Sequence, residues 1–259
     1  MPVITLPDQK LDETCPTPLY FQLRELIADT IKDGQYGPEY QLPSERELAE
    51  KFHLSRMTVR QATTALVNDG LLVRRRGKGT FVSPPKLEQG LLKLTSFTED
   101  MEVRGMHPST RIVAVRRLAA TGKTAKVLDL APGSPLILLE RLRMADGKPM
   151  AYERCHLPQE RFPDLTEEIL GEGSLYALLQ SRYKIIPTHA KQSLEATLAS
   201  RREAELLQVN QGAPLLLLER ITLDQGKVAI EYVKSLYRAD RYKFYAQLHR
   251  NANGWKGGD

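Results

Sequence analysis

The sequence is short of the residues on which metal centres, disulfide frameworks and membrane spans depend. It has two cysteines, Cys15 and Cys155, without a C-x-x-C motif, and its five histidines are scattered. Neither a zinc site nor a disulfide framework is expected, and no motif indicates a cofactor or another metal ion. No apolar run reaches 18 residues, and the N-terminus lacks the apolar core of a signal peptide. These absences favour a cytoplasmic protein with no membrane partner.

Hydrophobic and charged residues occur in the proportions of ordinary globular proteins. The 259 residues are 41% hydrophobic and 27% charged, which supplies enough apolar material for folded cores. At roughly 100 to 200 residues per domain, this length fits two domains of moderate size. We predict one domain over residues 14–83, a linker over 84–90 that begins with extended chain at Pro84 and Pro85, a second domain over 91–250 and a loose, glycine-rich tail over 251–259.

Positive charge is concentrated in one part of the first domain. The whole chain has a formal net charge of +5, and residues 42–86 alone hold nine lysines and arginines against four acids. A local excess of this kind indicates a polyanionic partner such as nucleic acid.

Three amphipathic helices are predicted before this basic stretch ends. Apolar residues spaced three and four apart run from Leu19 to Ile31, and the pair Ser44 and Glu47 forms an S-x-x-E capping signature for a second helix. Ser55 is the expected N-cap of a third helix that stops at Gly70. Two short helices across so tight a turn form a helix-turn-helix, whose second helix enters the DNA major groove. The polar residues placed to contact DNA are Arg46, Ser55, Arg56, Thr58, Arg60 and Gln61.

The stretch RRRGKGTF, from Arg74 to Phe81, combines a charge run with two glycines. A phosphate-binding P-loop would require a following helix, whereas here Phe81 and Val82 continue a β-like run. We therefore predict a β-hairpin whose glycine tip is thin enough for the minor groove. Its tip residues Gly77, Lys78 and Gly79 are further DNA-contact candidates.

Residues 18 to 83, with the run LPSERELAEKFHLSRMTVRQATTALVNDGLLVRRRGKGTFV, resemble the winged helix-turn-helix domain of the GntR family of bacterial transcriptional regulators. This resemblance implies that Arg46 and Arg56 contact double-stranded operator DNA. It also implies that Gly77 lies at the wing tip in the minor groove.

The second domain contains an internal repeat. GSPLILLERLRMADGKPMAYE, from Gly133, aligns with GAPLLLLERITLDQGKVAIEY, from Gly212, and each copy reads as two strands around a turn, at Gly147 or Gly226. Helices are predicted from Ser174 to Leu179 and from Ser200 to Leu207. The expected fold class is α+β, with a central mixed or antiparallel sheet that shows pseudo-symmetry.

A few polar residues of these hairpins suggest a binding site. Arg141 and Arg143 alternate along a strand and so share one face, which suits a phosphate or carboxylate. Glu153 and Glu231 lie on the return strands and could accept hydrogen bonds from a sugar or an amine. The alternative, that these four side chains only pair with one another at the surface, stays open at this point.

The segment LTSFTEDMEVRGMHP, the two hairpins and the closing SLYRADRYKFYAQLHR resemble the UTRA effector domain, which is similar in fold to chorismate lyase. The similarity points to regulators of N-acetylglucosamine use, whose effectors are glucosamine 6-phosphate and N-acetylglucosamine 6-phosphate. It implies that the phosphate meets backbone amides at residues 96–98 and that the sugar is held by two glutamates and a tyrosine. The implied effector-binding residues are Ser96, Phe97, Thr98, Arg141, Arg143, Glu153, Ser174, Tyr176, Glu231 and Tyr237.

These features favour a homodimeric repressor that reads a palindromic operator and is controlled by a phosphorylated amino sugar, rather than an enzyme. Three alternatives compete with this interpretation, and the first is the same regulator architecture with a different small-molecule effector. A lyase-like enzyme would use Glu153 or Glu231 as a general base, although no nucleophile motif accompanies them. An architectural DNA-binding protein without a ligand would not need a second domain of this size.

Overall fold

The computed structural model describes residues 2–34, 36–75, 77–171 and 173–248, except for the side chain of residue 168. The chain divides into two compact units between Lys86 and Leu87. Arg76, the last residues of the predicted second domain and the predicted tail over 251–259 lie outside the described residues.

The first unit is a winged helix-turn-helix. Its elements are α1 (Leu19–Asp33), α2 (Glu45–Phe52), α3 (Arg56–Asn68), β1 (Leu72–Arg75) and β2 (Gly79–Val82). Ser44 forms the predicted capping box with Glu47 at the start of α2, and the Ser55 hydroxyl accepts a hydrogen bond from the backbone N–H of Thr58 at the start of α3. Strands β1 and β2 pair antiparallel as the predicted wing. The three helices and the hairpin are thus confirmed.

The core of the first unit forms where the apolar stripes of the three helices meet. Leu23, Ile27, Leu48, Val59 and Leu66 are fully buried there. Burying each such side chain contributes about 1.5 to 3 kcal/mol, so the stripes and not the charged surface hold the helices together.

The sequence pattern did not reveal that the wing is extended by two more segments. Gln41 forms an antiparallel bridge with Phe81 and a parallel bridge with Val3. The backbone N–H of Leu42 also donates to the carbonyl of Thr80 at 2.8 Å. These bonds fix the base of the wing hairpin from the side.

The second unit is an α+β fold built on an antiparallel sheet. Its elements are β3 (Leu87–Gly90), α4 (Phe97–Val103), β4 (Pro108–Ala119), α5 (Gly122–Val127), β5 (Pro135–Ala145), β6 (Lys148–Pro158), a 3₁₀ turn (Gln159–Arg161), α6 (Glu167–Leu170), α7 (Leu175–Tyr183), β7 (Pro187–Leu198), α8 (Arg201–Leu207), β8 (Pro214–Asp224), β9 (Ala229–Arg238) and β10 (Tyr242–Tyr245). The six-stranded sheet has the order β4-β5-β6-β9-β8-β7, and every neighbouring pair is antiparallel.

The repeat in the sequence corresponds to the two central hairpins, β5–β6 and β8–β9. Strands β6 and β9 pair at the middle of the sheet, so the strand order on one side mirrors the order on the other. This arrangement confirms the predicted pseudo-symmetry. The predicted helices correspond to α7 and α8, whose N-caps are Ser174 and Ser200.

The structure differs from the predicted linker at residues 87–90. These residues form β3, which pairs in parallel with β10 near the other end of the described chain. Strand β3 begins two residues after the proline pair Pro84 and Pro85, and its partner strand is more than 150 residues away. A long-range partner of this kind leaves no signal in local composition.

Candidate DNA-binding surface and ligand cavity

The first unit gathers its arginines on one open depression between α2, α3 and the wing. The depression is lined by five of them, Arg46, Arg56, Arg60, Arg74 and Arg75, together with Gly77 and Gly79 of the wing. Lys78 and Gln61 are also exposed, at the wing tip and on α3 respectively. The predicted DNA-contact residues therefore lie on α2, on α3 with its N-cap, and on the wing hairpin.

The polar residues at the start of α3 divide into two groups. The Ser55 hydroxyl caps the helix and lies 2.8 Å from the hydroxyl of Thr58, so both side chains shape the helix start. Arg60 instead pairs with Glu45 of α2 at 3.0 Å, and this arginine is exposed. An exposed pair of this kind contributes about 0 to 1 kcal/mol, so phosphate can compete for the guanidinium.

Both wing glycines have a backbone conformation that other residues rarely adopt, with φ of +71° at Gly77 and +112° at Gly79, but their surroundings differ. A Cβ on Gly79 would collide with the amide group of Gln41, which donates to the carbonyl of Lys78 at 3.1 Å. Gly77 has no atom within 4 Å of an added Cβ, but its φ of +71° lies in the left-handed region that favours glycine. Gly79 thus permits close packing, and Gly77 shapes an unobstructed tip.

We expect Gly77→Val to weaken operator binding at least tenfold at every salt concentration, because a β-branched residue both strains this backbone and widens the tip. Binding can be measured by gel shift on a duplex selected from random-sequence DNA. Gly147→Val is a matched control, since Gly147 has a φ of +70° and open space at a hairpin turn of the second unit. Native affinity in Gly77→Val would show that the wing does not enter a groove.

A cavity in the second unit lies on one face of the central sheet. It has about 640 Å³ of empty space, including its open mouth. Four of its lining residues, Arg141, Glu153, Ser235 and Leu218, are successive cross-strand partners on β5, β6, β9 and β8. Helices α4 and α7 supply further lining residues, including Phe97 and Tyr176. The cavity therefore has a rigid sheet as its floor.

The opposite face of the same strands carries a separate set of charges. Glu140, Arg154, Lys234 and Glu219 form the neighbouring cross-strand row. Burial alone would raise the pKa of Glu219, but contacts with Lys123 and Lys234 lower it to about 2. Because successive side chains of a strand point to opposite faces, this row does not reach the cavity.

Arg141 and Glu153 form a buried ion pair on the cavity floor. Arg141 Nη2 lies 2.7 Å from Glu153 Oε2, and both side chains are less than 10% exposed. This contact lies outside hydrogen-bond geometry, and among the described residues neither Arg141 Nε nor Glu153 Oε2 has a hydrogen-bond partner. Unsatisfied polar atoms of this kind are costly in a protein interior unless a ligand can use them.

Arg143 is a buried cation, and no carboxylate of the described residues lies at ion-pair distance from it. Its guanidinium donates to the hydroxyls of Thr110 at 2.6 Å and Thr98 at 3.0 Å, and it lies 4.7 Å from the ring centre of Phe97. Burial, together with repulsion from Arg141, lowers the pKa of Arg143 to about 10. The group is still charged at neutral pH, so this part of the cavity attracts an anion.

Glu231 accepts hydrogen bonds from three neutral donors. Tyr176 Oη and Thr222 Oγ1 lie 3.1 and 3.0 Å from Oε2, and Cys155 Sγ lies 3.0 Å from Oε1. Burial and the nearby Glu231 carboxylate raise the pKa values of Cys155 and Tyr176. Both donors thus keep their protons, and the carboxylate is held in one orientation.

The structure places the predicted effector-binding residues around this one cavity. All of them line it except Thr98, which is bonded to Arg143. One detail differs from the prediction, because the backbone N–H of Ser96 already donates to Glu99 in a capping box at 2.9 Å. A phosphate would meet the amides of Phe97 and Thr98 without displacing that bond.

Several cavity residues were not predicted. They are Gln89, Thr95, Asp100, Gln192, Arg220 and Ser235. Arg220 had a signal in the sequence, because it occupies the position in the second repeat that Arg141 occupies in the first. Gln89 and Gln192 had none, since they belong to strands that the sequence did not predict.

In the part of the chain that the structure describes, no helix is both long and apolar enough to cross a membrane.

Family models match both units of the chain. The model of bacterial regulatory proteins of the gntR family matches residues 19–82, and the UTRA domain model matches residues 103–243. The chain belongs to the GntR family and carries a UTRA domain. In this GntR-family chain, the first match spans the helices and the wing, and the second spans most of the unit that contains the cavity. Both resemblances are thereby confirmed.

Characterised relatives match the GntR-family chain over nearly its whole length. The HTH-type transcriptional repressor NagR of Bacillus subtilis is 44% identical, over 93% of this chain and 98% of NagR. The repressor PhnF of Mycolicibacterium smegmatis is 41% identical over 90% of this chain and 94% of PhnF. A crystal structure of PhnF superposes with a TM-score of 0.62 at 38% identity, over 88% of this chain and 99% of that one. These GntR-family relatives are transcriptional repressors, which supports regulation and not the lyase-like alternative.

Proposed function

We propose that this chain is a dimeric transcriptional repressor that binds a palindromic operator and responds to glucosamine 6-phosphate or N-acetylglucosamine 6-phosphate. The observation that carries the effector proposal is Arg143, a buried guanidinium with no carboxylate at ion-pair distance among the described residues. A buried charge without a partner is costly, and an anionic ligand would supply the partner.

The anionic group of the ligand suits the end of the cavity near α4. Arg143 and the amides of Phe97 and Thr98 are donors there, and a guanidinium binds phosphate oxygens with two parallel N–H groups. Ser174 lines the same cavity and offers its hydroxyl group, whereas the hydroxyl of Tyr176 beside it donates to Glu231. Donors from three segments of the chain would thus converge on one phosphate.

The rest of the cavity suits a sugar that carries donors. A carboxylate has about four acceptor positions, and Glu231 uses three of them for Tyr176, Thr222 and Cys155. One position remains for a ligand hydroxyl or amine. Tyr237 packs edge-on against Tyr242 and Phe244, at 4.7 and 5.3 Å between ring centres, and burial raises its pKa, so it stays neutral.

Regulation requires that the ligand favour one arrangement of the protein over another, since equal affinity for both would shift nothing. Strand β3 directly follows the first unit in sequence, and its residue Gln89 lines the cavity and donates to Asp100 of α4 at 2.6 Å. A ligand that orders α4 would therefore also fix β3. Dimerisation would place two recognition helices on a palindrome and double the base contacts.

We expect glucosamine 6-phosphate or its N-acetyl form to change operator affinity and to raise the melting temperature, because binding to the native state alone stabilises it. A saturating ligand at 100 times its Kd should add about 2.7 kcal/mol. Gel-shift titration and thermal unfolding would measure both effects, with glucose 6-phosphate as the control that lacks the amino group. If neither amino-sugar phosphate changes DNA affinity or melting, the effector proposal is wrong.

A further inference from the structure

Arg220 of β8 is a second cavity arginine without a carboxylate partner. It lies on the cavity lining, and no carboxylate of the described residues is at ion-pair distance from it. Its Nε donates to Gln192 Oε1 at 3.0 Å, and its Nη1 lies 3.5 Å from the carbonyl of Thr95. Both partners are neutral, so they orient the guanidinium without compensating its charge.

Gln192 is itself held in place. Its Nε2 donates to the carbonyl of Leu91 at 2.7 Å, and it is the cross-strand partner of Arg220 on β7. The amide oxygen of Gln192 therefore has a fixed position, and Arg220 Nε is directed by it. A guanidinium oriented in this way is prepared to bind a ligand, because less rotamer freedom is lost on binding.

Among the described residues, three arginines and three carboxylates line the cavity, namely Arg141, Arg143, Arg220, Asp100, Glu153 and Glu231. Arg141 pairs with Glu153, Asp100 is 3.9 Å from Arg104, which is not a lining residue, and Glu231 accepts hydrogen bonds from neutral donors. No described carboxylate is at ion-pair distance from Arg143 or Arg220. A phosphate monoester carries about −1.5 to −2 charges at pH 7, so one unpaired guanidinium would not neutralise it and two would.

The neighbours of Arg220 belong to the phosphate end of the cavity. Thr95 directly precedes the segment 96–98 at the start of α4. Arg220 and Tyr176 also lie close enough to shift each other's pKa. We propose that Arg220 is a third arginine of the ligand site, that it binds the phosphate opposite Arg143, and that Gln192 is its positioning residue. This inference rests on the proposed function and deepens it.

Titration calorimetry of the full-length chain with glucosamine 6-phosphate, and separately with millimolar inorganic phosphate, tests the inference. We expect Arg220→Met to raise the Kd of both probes at least tenfold, and Arg220→Lys, which restores the charge, to recover much of the loss. Arg201→Met removes an exposed arginine of α8 and should leave both Kd values within twofold. Gln192→Leu should weaken binding less than Arg220→Met, because it only releases the guanidinium.

Two results would overturn the inference alone. One is a Kd for glucosamine 6-phosphate within twofold of native in Arg220→Met. The other is that Arg220→Met weakens the binding of glucosamine 6-phosphate but leaves the affinity for inorganic phosphate unchanged. That result would place Arg220 against another part of the ligand. If the native chain binds neither probe, the proposed function falls together with the inference. Thermal unfolding of the ligand-free variants shows whether each is folded.

Discussion

Arg143→Met is expected to weaken the binding of glucosamine 6-phosphate by about a hundredfold, while the ligand-free protein stays as stable as the native chain or becomes more stable. Two charged hydrogen bonds to phosphate would be lost, at about 1.5 kcal/mol or more each, and about 3 kcal/mol corresponds to a hundredfold change in Kd. No other residue of the site should show so large a loss of affinity together with retained stability.

The expected stability of Arg143→Met follows from the direction in which folding changes the pKa of Arg143. The pKa of Arg143 is lower in the folded chain than its usual value, so the charged form is disfavoured by folding at every pH below about 10. Methionine fills a similar volume without a buried charge, and such replacements are often neutral or stabilising. The buried charge of Arg143 therefore lowers the stability of the ligand-free chain, and only a bound anionic ligand would offset that loss.

Calorimetry would measure the Kd for the ligand, and urea unfolding would measure the free energy of unfolding of the ligand-free protein. Arg143→Lys keeps the charge but loses the two-pronged geometry, so we expect an intermediate Kd. Arg111→Met, at an exposed position of β4, is the control for loss of an arginine from a neighbouring strand. Native affinity in Arg143→Met would exclude Arg143 as a ligand-binding residue.

Arg56→Ala is expected to lower operator affinity by tenfold to a hundredfold per half-site without loss of stability. A bidentate arginine contact with guanine discriminates by about 1 to 3 kcal/mol. Arg56 is the first residue of α3, where the helix macrodipole presents positive charge and no acidic residue compensates it. An exposed arginine at that position does not stabilise the helix. We therefore expect Arg56→Ala to leave the free energy of unfolding unchanged or slightly higher.

Gel shifts on the selected operator and on variants with single base changes distinguish this role from general attraction to phosphates. Arg56→Ala should reduce the difference in affinity between the operator and a duplex in which one base pair is altered. Lys78→Ala, in the wing, should instead weaken all duplexes alike and reduce the salt slope by about 0.9 per half-site. Equal losses on all duplexes for Arg56→Ala would mean that Arg56 contacts only the backbone.

The first unit could be predicted from sequence because its signals are local. The capping pair Ser44 and Glu47, the N-cap Ser55 and the glycines of the wing each act within a few residues. What the sequence left out of this unit is the pairing of Val3 and Gln41 beside the wing, because these residues are far apart in the chain and neither stretch alternates strongly.

The second unit was predictable only where it repeats. The aligned hairpins gave β5, β6, β8 and β9, and the alternation of Arg141 and Arg143 indicated a shared face. The parallel pair β3 and β10 and the cavity residues Gln89 and Gln192 depend on contacts between distant segments. Such contacts are set by the packing of the whole unit and not by local pattern.

The alternation of side chains across the central sheet bears on how such a protein can evolve. Glu153 faces the cavity, while its chain neighbour Arg154 belongs to the charge row on the other face with Glu140 and Lys234. A substitution at a cavity position therefore leaves that row untouched, and the reverse also holds. Residues on the cavity face can therefore change under selection while the charge row that links the strands on the other face is kept.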